Sequence, residues 1–175
     1  MMGEGLLSLD VKNALEKIVA HCFYSNRILD RIVSILSVSF VMPITATAIH
    51  HNLAHLYPLL ADEISDYMAD RDSTTIYGAT PTGDQKYENY IECLRKALEL
   101  NLELEKLTKD AILVAQQKGD YTTYVFLQNY LLGLIPITKS ILDLVDKAEM
   151  YGASNINAMK FDHDFEELHA FGDDD

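Results

Sequence analysis

The sequence predicts an all-α protein built as an antiparallel four-helix bundle. Three observations carry this. Apolar residues recur at three-and-four spacing over four long stretches, no stretch alternates apolar and polar residues as a strand would, and the connections between stretches are short. The first stretch runs from about Leu9 to Val41, with Leu15, Ile18, Val19, Cys22, Leu29, Ile32, Val33 and Leu36 as its buried stripe. Pro43 ends it, because the residue before a proline is pushed out of the helical region. A second helix is expected from about Thr45 to Asp72, with Ile49, Leu53, Leu56, Leu60 and Ile64 facing inward and a kink at Pro58. The turn-rich segment from Ser73 to Asp84, STTIYGATPTGD, reads as the one clear loop. The third helix, about Gln85 to Lys118, takes Ile91, Leu94, Leu98, Leu102, Leu107, Ile112 and Leu113 as its stripe. Gly119 stops it and Asp120 caps the fourth, which runs from about Tyr121 to Met150 through an internal Pro136.

Length and composition bound the function. At 175 residues, 49% hydrophobic and 23% charged, the chain is expected to form one domain over residues 1–152, followed by an acidic tail or short docked helix over 153–175. Cys22 and Cys93 sit in helical sequence without metal-ligand spacing and read as buried thiols. No basic, cleavable leader pattern opens the sequence, so a cytoplasmic location is expected. The uncharged run over residues 32–49 is long enough to span a membrane, but its Ser/Thr content and Pro43 argue for a broken helix.

The candidate site lies in the second helix. His51, Asp66 and Asp70 fall within about 100° of one another at 100° per residue, so one strip of an unbroken helix could present an imidazole and two carboxylates to a hard metal ion. His55 lies one turn after His51, and His50 flanks it. A strip of this kind is also what an ordinary solvated helix face looks like. A second arrangement, Glu63 with Glu16, Glu99 and Glu103, could build a carboxylate site inside the bundle, although neither the second nor the fourth helix supplies the Glu-x-x-His pair such sites use. In the tail, Glu166-x-x-His169 and His163 form a third possible ligand group, and Phe161, Phe165 and Leu168 share helical spacing.

Two segments carry a family resemblance. SDYMADRDSTTIYGATPTG resembles the end of the second helix and following loop of Dps-type mini-ferritins, D-x-x-A-E-R before a Gly-Gly-x-Pro loop. LVAQQKGDYTTYVFLQNYL is similar to their third-to-fourth helix junction, and the resemblance spans roughly residues 9 to 149. It implies a ferritin-like fold, assembly into hollow homo-oligomers of the dodecamer type, and iron bound between subunits by two histidines of one and an Asp and a Glu of its neighbour. Carried over, the second histidine falls on His51, the Asp on Asp66 and the Glu on Asp70. The first falls on Ser39, the accompanying tryptophan is absent, and the inter-helix loop is shorter than the family's; His55 is the nearest substitute ligand. The implied function is iron binding, oxidation and storage that limits peroxide chemistry, and the alternative is a degenerate ferritin-like bundle serving as a non-redox binding or structural module. Fe(II) suits this donor set because it accepts imidazole nitrogen and carboxylate oxygen together.

The net charge of −13, from 27 acidic and 14 basic residues, excludes direct nucleic-acid binding as the main activity, since phosphate affinity comes from clustered Lys and Arg. At about 0.15 M salt and without divalent cations the protein should leave a duplex DNA band unshifted in a native gel; a retarded band would show a cationic surface that the sequence hides.

Overall fold

The computed structural model describes residues 5–165. Four long helical rods form the bundle. α1 spans Leu9–Val38; a second rod is assembled from α2 (Pro43–Ile49), a π-helical turn (His50–Ala54) and α3 (Leu56–Asp70); α4 spans Tyr90–Gln117 and α5 Tyr121–Tyr151. A short α6, Asn155–His163, closes one end. The all-α four-helix fold is as the sequence predicts, and no strand occurs among the described residues.

The connections set the topology. α1 and α3 run antiparallel through the tight turn at 39–42, and α4 and α5 do so through Gly119, whose φ of 67° ends α4 while Asp120 accepts the N–H of Thr123 at 3.0 Å. Between these hairpins the chain does not turn back. Residues 71–89 form an extended strap that climbs α1: the Ile76 N–H donates to Glu16 at 2.9 Å, Gly78 lies against Ala20, Gly83 lies against Arg27, and Arg31 donates to the Gln85 carbonyl at 3.1 Å. α3 and α4 therefore run parallel. The expected loop is longer at both ends because α4 starts at Tyr90, fixed by the Asn89 side chain on the Glu92 N–H and by Glu92 reaching back to the Glu88 N–H.

The second helix departs from the continuous rod read in the sequence. Pro58 has no N–H to give the Ala54 carbonyl, and its ring would crowd that carbonyl in a regular turn. The chain widens into the π-helical turn just before it, and Asn26 of α1 donates its amide to the stranded Ala54 oxygen at 2.8 Å. Residues 32–49 likewise divide between α1 and α2, with Val41 at φ 54° in the turn. α4 also differs: Leu102 and Leu113 face outward, and the buried stripe runs instead through Leu94, Ala97, Asn101, Leu104, Thr108 and Ala111. Small residues there let α5 approach closely, which a scan for large apolar residues misses.

α6 is held by a cap given in trans. α2 begins with no side-chain cap of its own, and the buried Asp162 carboxylate of α6 accepts the N–H groups of Thr45 at 2.7 Å and Ile44 at 3.4 Å. Phe161 packs against Tyr90 and Tyr151 beneath it.

The Asn26 contact generates a test by double-mutant cycle. Asn26→Leu should lower stability by about 1–3 kcal/mol in the wild type, because it strands a buried carbonyl, and by much less in a Pro58→Ala background where the new N–H can serve that carbonyl. Equal losses in both backgrounds, measured by urea unfolding, would sever the link between the two residues.

Candidate metal-binding site

The π-helical turn determines where the imidazoles go. Its i to i+5 bond, from the His55 N–H to the His50 carbonyl at 3.1 Å, stacks residues five apart. The rings of His50 and His55 consequently lie 4.3 Å apart between centroids, His50 and His51 5.3 Å, and His51 and His55 5.6 Å. His50 Nε2 also sits 3.9 Å from an Asp30 carboxylate oxygen on α1. The sequence-predicted His51 and His55 are thus neighbours on an exposed surface, and His50 joins them. The signal for His50 was the proline eight residues later, which changes the local period.

Asp66 and Asp70 do not join that group. They are exposed one turn apart on α3, and Asp66 lies fifteen residues beyond His51, about 22 Å along the rod at 1.5 Å per residue. One chain cannot bring both ends of the strip to one ion, since metal–ligand bonds are about 2 Å long. The single unbroken strip read from the sequence is also interrupted by the π-helical turn. His51 belongs to the second rod as the sequence predicts, since α1 ends at Val38 with Ser39 as its C-cap. Among the described residues no three His, Cys, Asp or Glu side chains converge in a geometry ready for a metal ion. Glu166 and His169 of the tail lie outside the described residues.

The bundle centre is equally informative. Ferritin-like di-iron bundles place a Glu on each of two helices and a Glu-x-x-His pair on each of the others, all pointing inward. Here the facing residues are Cys22 of α1, Tyr57 of α3, Asn101 of α4, and Tyr130 with Thr138 of α5. Tyr57 donates its hydroxyl to Asn101 Oδ1 at 3.1 Å, Asn101 donates its amide to Thr138 Oγ1 at 2.6 Å, and the Thr138 hydroxyl points to Glu105, which Lys109 approaches at 3.4 Å. Tyr130 donates to the Leu60 carbonyl at 3.1 Å, with Cys22 Sγ 3.8 Å from its oxygen. Burial pushes the Cys22 thiol up to about 12 and drives the Tyr57 and Tyr130 phenols upward as well. All three are neutral at physiological pH. A neutral, mutually satisfied set of this kind does not fit a cation that needs anionic oxygen ligands. The carboxylates considered for an internal site are engaged elsewhere: Glu16 with the strap, Glu99 with Lys96, Glu103 with Lys106. Glu63 edges a groove of about 330 Å³ between α3 and α5, lined by Leu56, Leu60, Phe126, Tyr130 and Gly133, and desolvation there raises its carboxyl above the ordinary range.

A family model described as the ferritin-like domain matches residues 59–151, just over half of the chain. The chain belongs to the ferritin-like family. Two solved structures share this family member's fold over nearly its whole length. A humanized archaeal ferritin superposes with a TM-score of 0.81 at 20% identity, covering 93% of this chain and 95% of its own. An open-pore ferritin from the hyperthermophilic archaeon Archaeoglobus fulgidus gives 0.82 at 19%, with 93% and 96% covered. No curated protein matches the sequence. These likenesses carry the ferritin-like fold and do not single out the Dps type.

One further imidazole of this ferritin-like bundle is part of the packing. His21 Nε2 lies 2.8 Å from the Leu100 carbonyl and 3.2 Å from Ser25 Oγ, which makes it the N–H that bonds the carbonyl. Burial lowers its pKa below the ordinary 6.5, against the smaller opposing effect of that bond. The unfolded chain therefore binds a proton that the folded chain resists, so the stability held above pH 6.5 is lost as pH falls below it. The melting temperature should drop between pH 7 and about 5.5, and His21→Gln, which can still donate to Leu100 but does not titrate, should flatten that slope. Parallel slopes in the two proteins would remove His21 from the account.

Proposed function

We propose that this ferritin-like protein binds Fe(II) at its surface, between copies of itself, and not inside its four-helix centre. The observation that carries the reading is the division of ligand types: imidazoles of His51, His55 and His50 at the π-helical turn of the second rod, and the paired carboxylates Asp66 and Asp70 further along it, about 22 Å from His51 to Asp66. Two half-sites of complementary chemistry on one chain suit a contact in which the imidazoles of one copy meet the carboxylates of another. Ferrous iron is the ion this mixed set favours, and open positions on it would admit the oxidant. Here iron is the cargo. A cytoplasmic homo-oligomer that takes up iron and so limits peroxide chemistry, in the manner of Dps-type proteins, is the function in which these features work together. Its strongly acidic surface suits iron delivered as a cation.

The neutral hydrogen-bonded centre favours a second reading, a ferritin-like bundle retained as a non-redox binding or structural module. Anaerobic calorimetric titration with Fe(II) separates the two. The wild type should bind, and Asp66→Ala with Asp70→Ala should abolish binding with helicity unchanged, because removing exposed carboxylates costs about 0.5 kcal/mol or less each. His51→Ala with His55→Ala should do the same. No heat in the wild type supports the non-redox module instead, and undiminished heat in both double variants removes these residues from iron binding.

A further inference from the structure

The groove between α3 and α5 is lined by two facing stripes. On α3, Leu56, Leu60 and Glu63 recur at helical spacing, and on α5 Phe126, Tyr130, Gly133 and Ile137 do the same, enclosing about 330 Å³. Gly133 keeps the groove open. It stands inside a 31-residue helix, where glycine is the poorest choice after proline, and a Cβ at its position would meet nothing within 4 Å. Tyr67 closes one end, its ring stacked on Phe126 at 4.0 Å between centroids and its hydroxyl 2.7 Å from Thr123 Oγ1. The Tyr130 hydroxyl is already bonded to the Leu60 carbonyl, which leaves Glu63 as the one charged residue of the lining. Desolvation raises its carboxyl above the ordinary range, and no Lys, Arg or His among the described residues pairs with it.

We propose that this groove binds a small organic ammonium compound, a primary amine bearing an aryl or alkyl chain, with its nitrogen on the Glu63 carboxylate and its hydrocarbon lying over Gly133 between the two helices. The lining selects that class. A metal ion would find a single carboxylate amid aliphatic and aromatic carbon, short of the several oxygen or nitrogen ligands it needs. An ammonium group needs one anionic acceptor and is attracted to aromatic rings, and Phe126 and Tyr130 lie on the opposite wall from Glu63. An organic anion would bring a second negative charge to Glu63 on a chain that already carries −13. Size agrees as well: a cavity of about 150 Å³ holds benzene, so this groove has room for a ring and a short chain. Because Tyr67 ends the groove, a free amine fits it better than the lysine of a docked peptide, whose backbone would have to run on past that ring. The groove shares no residue with the proposed iron site, so the two readings fail separately.

Ligand-observed NMR titration of the full chain with phenethylammonium tests it. The wild type should bind this amine saturably and at least about ten-fold more tightly than phenylpropionate, an anion of similar shape. Glu63→Gln, close in size and uncharged, should remove that preference by weakening the amine about ten-fold or more. Gly133→Leu should abolish binding by filling the groove while holding or raising the thermal midpoint, because its Cβ meets open space and leucine is the better helix former. Its loss of binding is then not a loss of fold. Asp66→Ala with Asp70→Ala should bind the amine as the wild type does, which separates Glu63 from the general acidity of the chain. No saturable binding, equal affinity for amine and carboxylate, a Glu63→Gln variant as tight as the wild type, undiminished binding in Gly133→Leu, or a loss in the Asp66 and Asp70 variant as large as in Glu63→Gln would each overturn the assignment.

Discussion

The bundle depends on a buried amide having both of its ends occupied. Asn101 is fully buried, and an unpaired amide there would cost several kcal/mol. It accepts from Tyr57 of α3 and donates to Thr138 of α5, so one side chain of α4 sets the spacing of three helices at once. The donors then run in one direction, Tyr57 to Asn101 to Thr138 to Glu105, and the chain ends on a carboxylate beside Lys109 at the surface. A chain that exits to solvent can tolerate a negative end that the interior could not. This arrangement also determines what the centre cannot do: with these groups hydrogen-bonded to one another and neutral, it offers a cation no anionic oxygen. Metal chemistry in this ferritin-like chain has to be sought on its outside.

The outside is organised by a different constraint, the missing N–H of Pro58. Because the Ala54 carbonyl is served from α1 by Asn26, the second rod can widen by one residue without stranding a buried acceptor. That extra residue brings His50 over His55 and makes three imidazoles neighbours. A backbone defect repaired from another helix thus becomes the cause of a local surface chemistry, and the same widening breaks the register that a regular helix would have kept between His51 and Asp66.

Much of the fold was legible because it is written in large apolar side chains. Leu15, Ile18, Leu29, Ile49, Leu53, Leu60 and Ile64 are buried as their spacing predicts, and Gly119 and Asp120 act as the stop and cap their chemistry suggests. What was not legible is carried by residues whose role is relational. Ala97, Ala111 and Thr108 are buried because α5 comes close, which no single-helix pattern encodes. The strap over 71–89 looks like a loose loop until Glu16, Arg27 and Arg31 of α1 are seen along its path. Of the candidate ligands, sequence spacing picked side chains that lie exposed along one rod. It missed the distance between them, because angular register alone ignores the 1.5 Å advance of each residue.

The long crossover sets which helices α5 can meet. In a bundle joined throughout by tight turns each helix would follow its predecessor around the core. The strap instead carries the chain back along α1, so that α4 and α5 are added as a second hairpin. α4 packs on both α1 and α5, while α5 meets α3 mainly through long side chains, Tyr67 stacked on Phe126 at 4.0 Å and Tyr130 reaching the Leu60 carbonyl. The groove edged by Glu63 and Gly133 lies where these two helices meet least closely. A chain with this much acid gains solubility from repulsion between copies. Between Tyr121 and Leu142 α5 carries one charge, Lys139, so that protection comes from the other faces of the bundle.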